Sequence, residues 1–331
     1  MSADPPPASE RMFFREAIAM AVREAMRADP RVIVLGQDVG AFGGAYREFD
    51  GLYAEFGPGR VRDTPVSEAA VVGIGVGAAA AGFRPLVSIT YMDFILLGLD
   101  PLVNYGAKLR YKTAGALTAP VVVKTTSGAK GQGVSHSQCL EAWLMSVPGL
   151  KVVAPSSVAD AYGLMKAALE ADGPVVFVDH KKLFPIGGPA PRPGVATPLG
   201  VAAIVRPGTD LTLATHGYMV RIALEAAEFL AADGVETEVV DLRSLSPLDI
   251  DTLAGSAGRT GRLLTLEEGQ VTGGVGAEVI ARVQERLGPL PAGRVGALAA
   301  PVSSNPILEA ACIPDAARVA KAAASLASVK T

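Results

Sequence analysis

Helix-forming and strand-forming stretches alternate along almost all of this 331-residue chain, and that alternation points to parallel sheets wrapped by helices. Residues 13–28 read as an amphipathic helix stopped by Asp29-Pro30, and Val32-Ile33-Val34-Leu35 as a buried strand emptying into the turn-rich Gly36-Gln37-Asp38-Val39-Gly40. Further strands are expected at 86–90, 121–124, 151–154 and 175–178, with helices at 140–146 and 158–170 between them. Residues 187–199 carry four prolines and three glycines, and their composition reads as a linker. Beyond it the rhythm restarts as a smaller α/β unit, with strands at 211–215, 236–241 and 263–266 and helices at 220–232 and 274–287. The division expected is a disordered tail (1–10), a first α/β domain (11–186), a linker (187–199) and a second α/β domain (200–331). Open α/β sheets place ligands beyond their strand ends, so the loops after Leu35, Thr90 and Lys124 are where chemistry is expected.

Composition removes several classes of function. Half the residues are hydrophobic and 19% are charged, enough for a large buried core. A net charge of −3 gives no electrostatic case for binding nucleic acid or an anionic membrane. The two cysteines, Cys139 and Cys312, form no CxxC or Cys/His pattern. A disulfide scaffold or structural zinc is therefore not expected, and a reducing, cytoplasmic setting fits. The longest apolar stretch, 69–83, is too short and too glycine-rich for a membrane span, so a soluble protein is expected.

Chemistry is signalled first by Asp63-Thr64-Pro65-Val66-Ser67-Glu68, which runs straight into a stretch of Gly, Ala and Val ending at Gly82. Glu68 stands at the mouth of that apolar helix. Buried there, a carboxylate needs a hydrogen-bonding partner or takes a raised pKa, which suits proton exchange. Gly73-Ile74-Gly75-Val76-Gly77-Ala78 satisfies the GxGxxA dinucleotide pattern, but only Val71-Val72 precede it, too little for the strand that pattern requires. Close approach of another helix, at a subunit interface, explains the small residues better. No P-loop occurs, nor a Gly-Asp-Gly followed at 25–30 residues by Asn, so no self-contained motif holds a diphosphate and its metal. Of three histidines, His136 lies in the polar, glycine-rich Lys130-Gly131-Gln132-Gly133-Val134-Ser135-His136-Ser137-Gln138, a fitting place for an acid or base. His216 reads as a surface-loop residue and His180 is undecided, while Glu267-Glu268 read as solvated or capping. No GxSxG elbow is present.

Several motifs then occur in one order: Gly36-Gln37-Asp38-Val39, Gly57-Pro58-Gly59-Arg60-Val61, Asp63 to Glu68, Ala107-Lys108-Leu109-Arg110-Tyr111, His136-Ser137-Gln138, Pro148-Gly149-Leu150-Lys151-Val152-Val153, and Asp241-Leu242-Arg243-Ser244-Leu245-Ser246-Pro247-Leu248-Asp249. On these the chain, over residues 12–325, resembles the beta subunit of thiamin-diphosphate-dependent 2-oxo acid dehydrogenases, the group that includes pyruvate, branched-chain and acetoin dehydrogenases. The resemblance implies a pyrimidine-binding α/β domain followed by a transketolase C-terminal-like domain. It also implies an alpha subunit that carries the missing diphosphate and magnesium motif, in an alpha2-beta2 heterotetramer with active sites between alpha and beta.

By that resemblance Glu68 matches the glutamate that bonds the cofactor's pyrimidine nitrogen and triggers its activation, Phe94 matches the aromatic packed on the pyrimidine, and His136 matches the active-site histidine of acyl transfer. Gln37 stands beside the cofactor pocket where the family usually has an acid. A structural potassium ion, held through backbone carbonyls, would fall at Val121, Ala168, Ala171 and Gly173. The implied reaction removes carbon dioxide from a 2-oxo acid, or acetaldehyde from acetoin, and passes the acyl unit oxidatively to a lipoyl acyltransferase. Besides Gln37, the chain departs from the family at Asp100-Pro101, Ser135 and Ser303-Ser304-Asn305-Pro306. Two alternatives stand beside this reading: a two-subunit carboligase or transketolase-like enzyme without a lipoyl partner, and a non-catalytic assembly subunit.

Overall fold

Runs of β-branched and aliphatic residues too short for helices build two main sheets. The computed structural model describes residues 11–327, so the expected tail at 1–10 lies outside the described residues. The larger sheet has seven strands in the order β12-β6-β7-β5-β4-β2-β3. These are β2 (Val32–Gly36), β3 (Val61–Asp63), β4 (Arg84–Ile89), β5 (Val122–Ser127), β6 (Lys151–Val153), β7 (Val175–His180) and β12 (Ser244–Ser246). All neighbours are parallel except β12 with β6. Every residue of β5 and β7 is buried, as expected for central parallel strands covered on both faces.

The second sheet runs β14-β13-β10-β11-β9. It comprises β9 (Ala203–Arg206), β10 (Leu211–Thr215), β11 (Thr237–Asp241), β13 (Leu263–Gln270) and β14 (Ala292–Ala297), with β9 antiparallel at the edge. A third pairing joins β1 (Arg11–Phe13) to β8 (Gly187–Pro189). The proline-rich stretch after residue 186 thus opens with a strand. Nothing local announces it, because its partner lies 176 residues away.

The helix Glu68–Ala80 packs on β4, with Gly75 at the closest approach. A Cβ on Gly75 would sit 2.5 Å from Val87 Cγ2, so only glycine lets the helix lie this close to the sheet. The GxGxxA glycines are therefore inside a helix rather than in a strand-to-helix turn, which removes the dinucleotide reading. The helix's other face leaves Ala69, Ala70, Ile74 and Gly77 exposed.

Strand β12 belongs to the chain after β11 yet completes the first sheet. Ser244 pairs with Val153, Ala154 N–H donates to the Arg243 carbonyl at 2.7 Å, and Ser246 Oγ donates to the Leu150 carbonyl at 3.0 Å. One hydrophobic cluster runs through the junction, joining Val152 and Val176 to Val240, Leu245, Leu253 and Val275. Among the described residues no helix is long and apolar enough to cross a membrane.

Candidate active site

Four segments that leave the same end of the first sheet converge on a cavity of about 340 Å³. The loop after β2 supplies Gln37, the segment after β3 supplies Thr64, and the helix that follows begins at Glu68. A single 3-10 turn after β4, Met92–Phe94, presents Phe94 beside Tyr91, and the long loop after β5 supplies His136. Strand ends of a parallel sheet all point one way, so residues 99 positions apart in sequence meet here. The structure brings together Gln37, Glu68, Phe94 and His136.

Glu68 is half-buried, not enclosed, and forms no ion pair or hydrogen bond with the described residues. The expectation of a buried carboxylate is corrected accordingly: the residue opens a helix and the cavity lies in front of it, which leaves it half-exposed and open to a partner from outside the chain. The helix's positive end favours a carboxylate there. The His136 ring stands edge-on to Phe94 (centroids 5.4 Å apart, planes at 83°) and to Tyr91 (5.0 Å, 81°). Gln37 is exposed and its amide reaches only Asp38 Oδ2, at 3.3 Å. Thr64 Oγ1 is closed off from water without a hydrogen-bond partner. No lysine or arginine lines the cavity, and no cluster of three His, Cys, Asp or Glu able to hold a metal occurs among the described residues.

Behind the cavity lies a layer of buried polar groups that sequence reasoning missed. Lys124 of β5 is fully buried, with its ammonium 2.6 Å from Glu48 Oε1 and 3.1 Å from Asp179 Oδ2. Glu48 also accepts the Tyr46 N–H at 2.9 Å, which ties the loop after β2 to the sheet. Burial pushes the Asp179 carboxyl up to about 6, against the opposing pull of Lys124. Lys181, also fully buried, donates to the carbonyls of Gly128, at 2.7 Å, and of His136. Two exposed glutamines of the same loop bond outside that layer: Gln132 donates to the Tyr91 hydroxyl at 3.1 Å, and Gln138 donates to Asp93 Oδ1 at 2.9 Å through its side chain. The one available signal was a lysine inside the otherwise uncharged Val122–Ser127 strand.

A second cavity, about 500 Å³, opens on the other side of the His136 loop. Of its three carboxylates, Glu267 and Glu268 are already engaged, whereas burial pushes the Glu141 carboxyl up to about 7. Glu267 accepts the Val275 and Gly276 N–H groups at the start of a helix, a capping role, whereas Glu268 is buried against His180 Nε2 (2.9 Å) and the Ala129 N–H (2.7 Å). His216 is buried in this region, not on a surface loop as its sequence context suggests, because it directly follows the wholly buried β10. The four expected potassium positions do lie near one another, at the end of the helix Val158–Glu170 and the start of β5. Three of their carbonyls already accept N–H donors: Val121 from Val175, Ala168 from Ala171, and Ala171 from the Arg84 guanidinium at 2.7 Å. The group offers spare lone pairs rather than a vacant cage, with the fixed positive charge of Arg84 beside it.

Comparison with known proteins matches residues 10–186 to the family described as "Transketolase, pyrimidine binding domain" and residues 200–319 to "Transketolase, C-terminal domain". The chain is 45% identical over 282 residues, 84% of its length and 78% of the other's, to the mitochondrial pyruvate dehydrogenase E1 component subunit beta-1 of Arabidopsis thaliana. The chain belongs to the 2-oxo acid dehydrogenase beta-subunit family. Within that family it is also 40% identical over 329 residues, 95% of this chain and 97% of the other, to the acetoin:2,6-dichlorophenolindophenol oxidoreductase subunit beta of Cupriavidus necator. Among solved structures, the inactive beta4 tetramer of a split-gene transketolase superposes with a TM-score of 0.77 at 26% identity, covering 96% of this chain and 99% of that one. The family's two-domain parallel α/β fold is the fold seen here.

Proposed function

We propose that this chain supplies the pyrimidine-side half of a thiamin diphosphate site in a 2-oxo acid or acetoin dehydrogenase, with Glu68 as the activating carboxylate. The observation that carries this reading is the cavity itself, which gathers Glu68, unbonded at a helix start, with Phe94 and His136, carries the exposed Asp38 as its other carboxylate, and has no lysine or arginine in its lining. Such a donor set fits a flat, nitrogen-bearing ring: Glu68 to bond a ring nitrogen, Phe94 to cover its face, and the unpartnered Thr64 hydroxyl to meet a polar edge. It does not fit a diphosphate or its magnesium ion, which need cationic groups, backbone nests or clustered carboxylates. An alpha subunit is therefore assigned that half of the site, in an alpha2-beta2 assembly. The naming of the relatives as beta subunits supports this.

When bound, the cofactor supplies the carbanion chemistry of decarboxylation. This chain's residues do the rest. Glu68 would hold a proton at the pyrimidine nitrogen and Phe94 would cover the ring face. His136, edge-on to Phe94 at the cavity, would stabilise charge or move a proton during acyl transfer to a lipoyl acyltransferase. Gln37, which is neutral and exposed, lines the rim without a proton role. The division into a pyrimidine domain (11–186) and a C-terminal domain (200–331), and placement in the reducing cytoplasm on the strength of two free cysteines, belong to the same reading.

A second reading is favoured by the split-gene transketolase likeness: a two-chain carboligase that needs no lipoyl partner. Capture of the chain from its host, followed by product analysis, separates the two. An alpha-like chain with a lipoyl protein, and acyl transfer from a 2-oxo acid or acetoin, supports the dehydrogenase. An alpha-like chain alone, with ketol formation on added aldehyde, supports the carboligase. Absence of any alpha-like chain counts against both.

A further inference from the structure

Two buried lysines stand behind the cavity, and they are compensated in opposite ways. Lys124 has two carboxylates, Glu48 and Asp179. Lys181 forms no ion pair with any described residue; its ammonium bonds the carbonyls of Gly128 and His136 and lies 4.7 Å from the centroid of the Tyr91 ring. Two of its N–H donors are thus bonded and the charge lies over an aromatic face. A fully buried ammonium without a carboxylate is costly, and burial pulls its proton affinity down even here. Pure stability would be served better by an apolar side chain.

The location says what the cation does instead. Gly128 directly follows β5, and His136 sits eight residues further along the same loop. The ammonium therefore closes the loop on itself, joining its root on the rigid sheet to the residue that faces the cavity. Tyr91 lies under Lys181 and edge-on to His136, so one ring is shared between the two. The nearby ionisable groups are Asp93, Cys139, Glu268 and Asp179 around the ammonium, and Tyr91, Asp38 and Glu68 around the cavity.

We propose that Lys181 is a positioning residue for His136, holding the histidine's main chain so that its imidazole stands at the cavity wall in the orientation acyl transfer needs. This rests on the role for His136 proposed above. Glu68 hangs from another element, so the activating carboxylate keeps its place without Lys181.

The test uses the enzyme reconstituted with its alpha partner and compares Lys181→Met, His136→Ala and the double variant. Lys181→Met is expected to lower kcat for acyl transfer about tenfold or more, while KM and hydrogen–deuterium exchange at the thiazolium carbon stay within about twofold. The double variant is expected to be no slower than His136→Ala, because two residues acting through one group are not additive. Multiplicative losses, a parallel fall in exchange, or an unaffected Lys181→Met would overturn the proposal while leaving the His136 reading intact. Full acyl transfer by His136→Ala would sink that reading, and this proposal with it. Should Met at 181 prevent folding, the unsubstituted chain with carbonyl-labelled histidine gives a second measurement. The His136 carbonyl resonance is expected to shift together with Lys181 Nζ on alkaline titration, and an immobile resonance refutes the contact.

Discussion

Lys124 and Glu48 meet at 2.6 Å in the interior of the first sheet, 76 residues apart in sequence and both shielded from water. The pair, with Asp179 as its third member, fastens the loop that carries Tyr46 to the strand that leads into the His136 loop. Lys124→Met would leave two carboxylates buried without their cation, and a loss of about 3–5 kcal/mol is expected. Urea denaturation measures it. A loss below about 1 kcal/mol would mean that water reaches the carboxylates.

Glu68→Gln separates chemistry from stability. The side chain is half-exposed and unbonded within the described residues, so the isolated chain should lose no more than the helix-end contribution of its charge, under about 1 kcal/mol by urea denaturation. Turnover of the reconstituted enzyme is expected to fall at least about a hundredfold, the low end of acid–base contributions. Unchanged turnover would remove Glu68 from the mechanism.

Two buried groups give opposite dependences of stability on pH. Burial pulls the His216 imidazole down to about 4, against 6.5 for a free one. Between those values the unfolded chain binds the extra proton, so stability present above about 6.5 is lost as pH falls towards about 4. Burial pushes Asp241 up to about 7 from 3.8, and there the folded chain holds the proton. Its contribution is present at low pH and lost as pH rises through about 7. Urea midpoints across pH should show His216→Gln gaining on the unsubstituted protein in acid, and Asp241→Asn gaining towards neutrality. Curves running parallel to the unsubstituted protein would contradict either assignment.

Gly75→Ala tests the seat of the Glu68 helix. The added methyl would meet Val87 Cγ2 at 2.5 Å, and overpacking of this kind costs about 1–3 kcal/mol. Val87→Ala in the same chain should restore much of it. Failure of that rescue would place the strain elsewhere.

The sequence legibly carried what is local. Asp29-Pro30 ended the first helix at Ala28, Ser67-Glu68 opened another, and the alternation of strands with helices announced the parallel sheet. Glu68, Phe94 and His136 could be named because ordered motifs surrounded them, and the chain brings them to one cavity. The supporting layer was not legible. Lysine is ordinarily a surface residue, and nothing near Lys124 or Lys181 says that Glu48 or the His136 carbonyl waits in the folded chain. Strands of three residues, such as Gly187–Pro189 and Ser244–Ser246, have no periodicity to read and are defined only by distant partners. The burial of His216 likewise depends on packing between segments far apart in sequence.

The crossing of β12 into the first sheet has a mechanical consequence. A body whose second half is stitched into the backbone ladder of the first cannot swing like a jaw without tearing hydrogen bonds at Ser244 and Ser246 and splitting a shared hydrophobic cluster. The frame that carries Glu68 is thereby braced from behind by a strand borrowed from the other half of the chain.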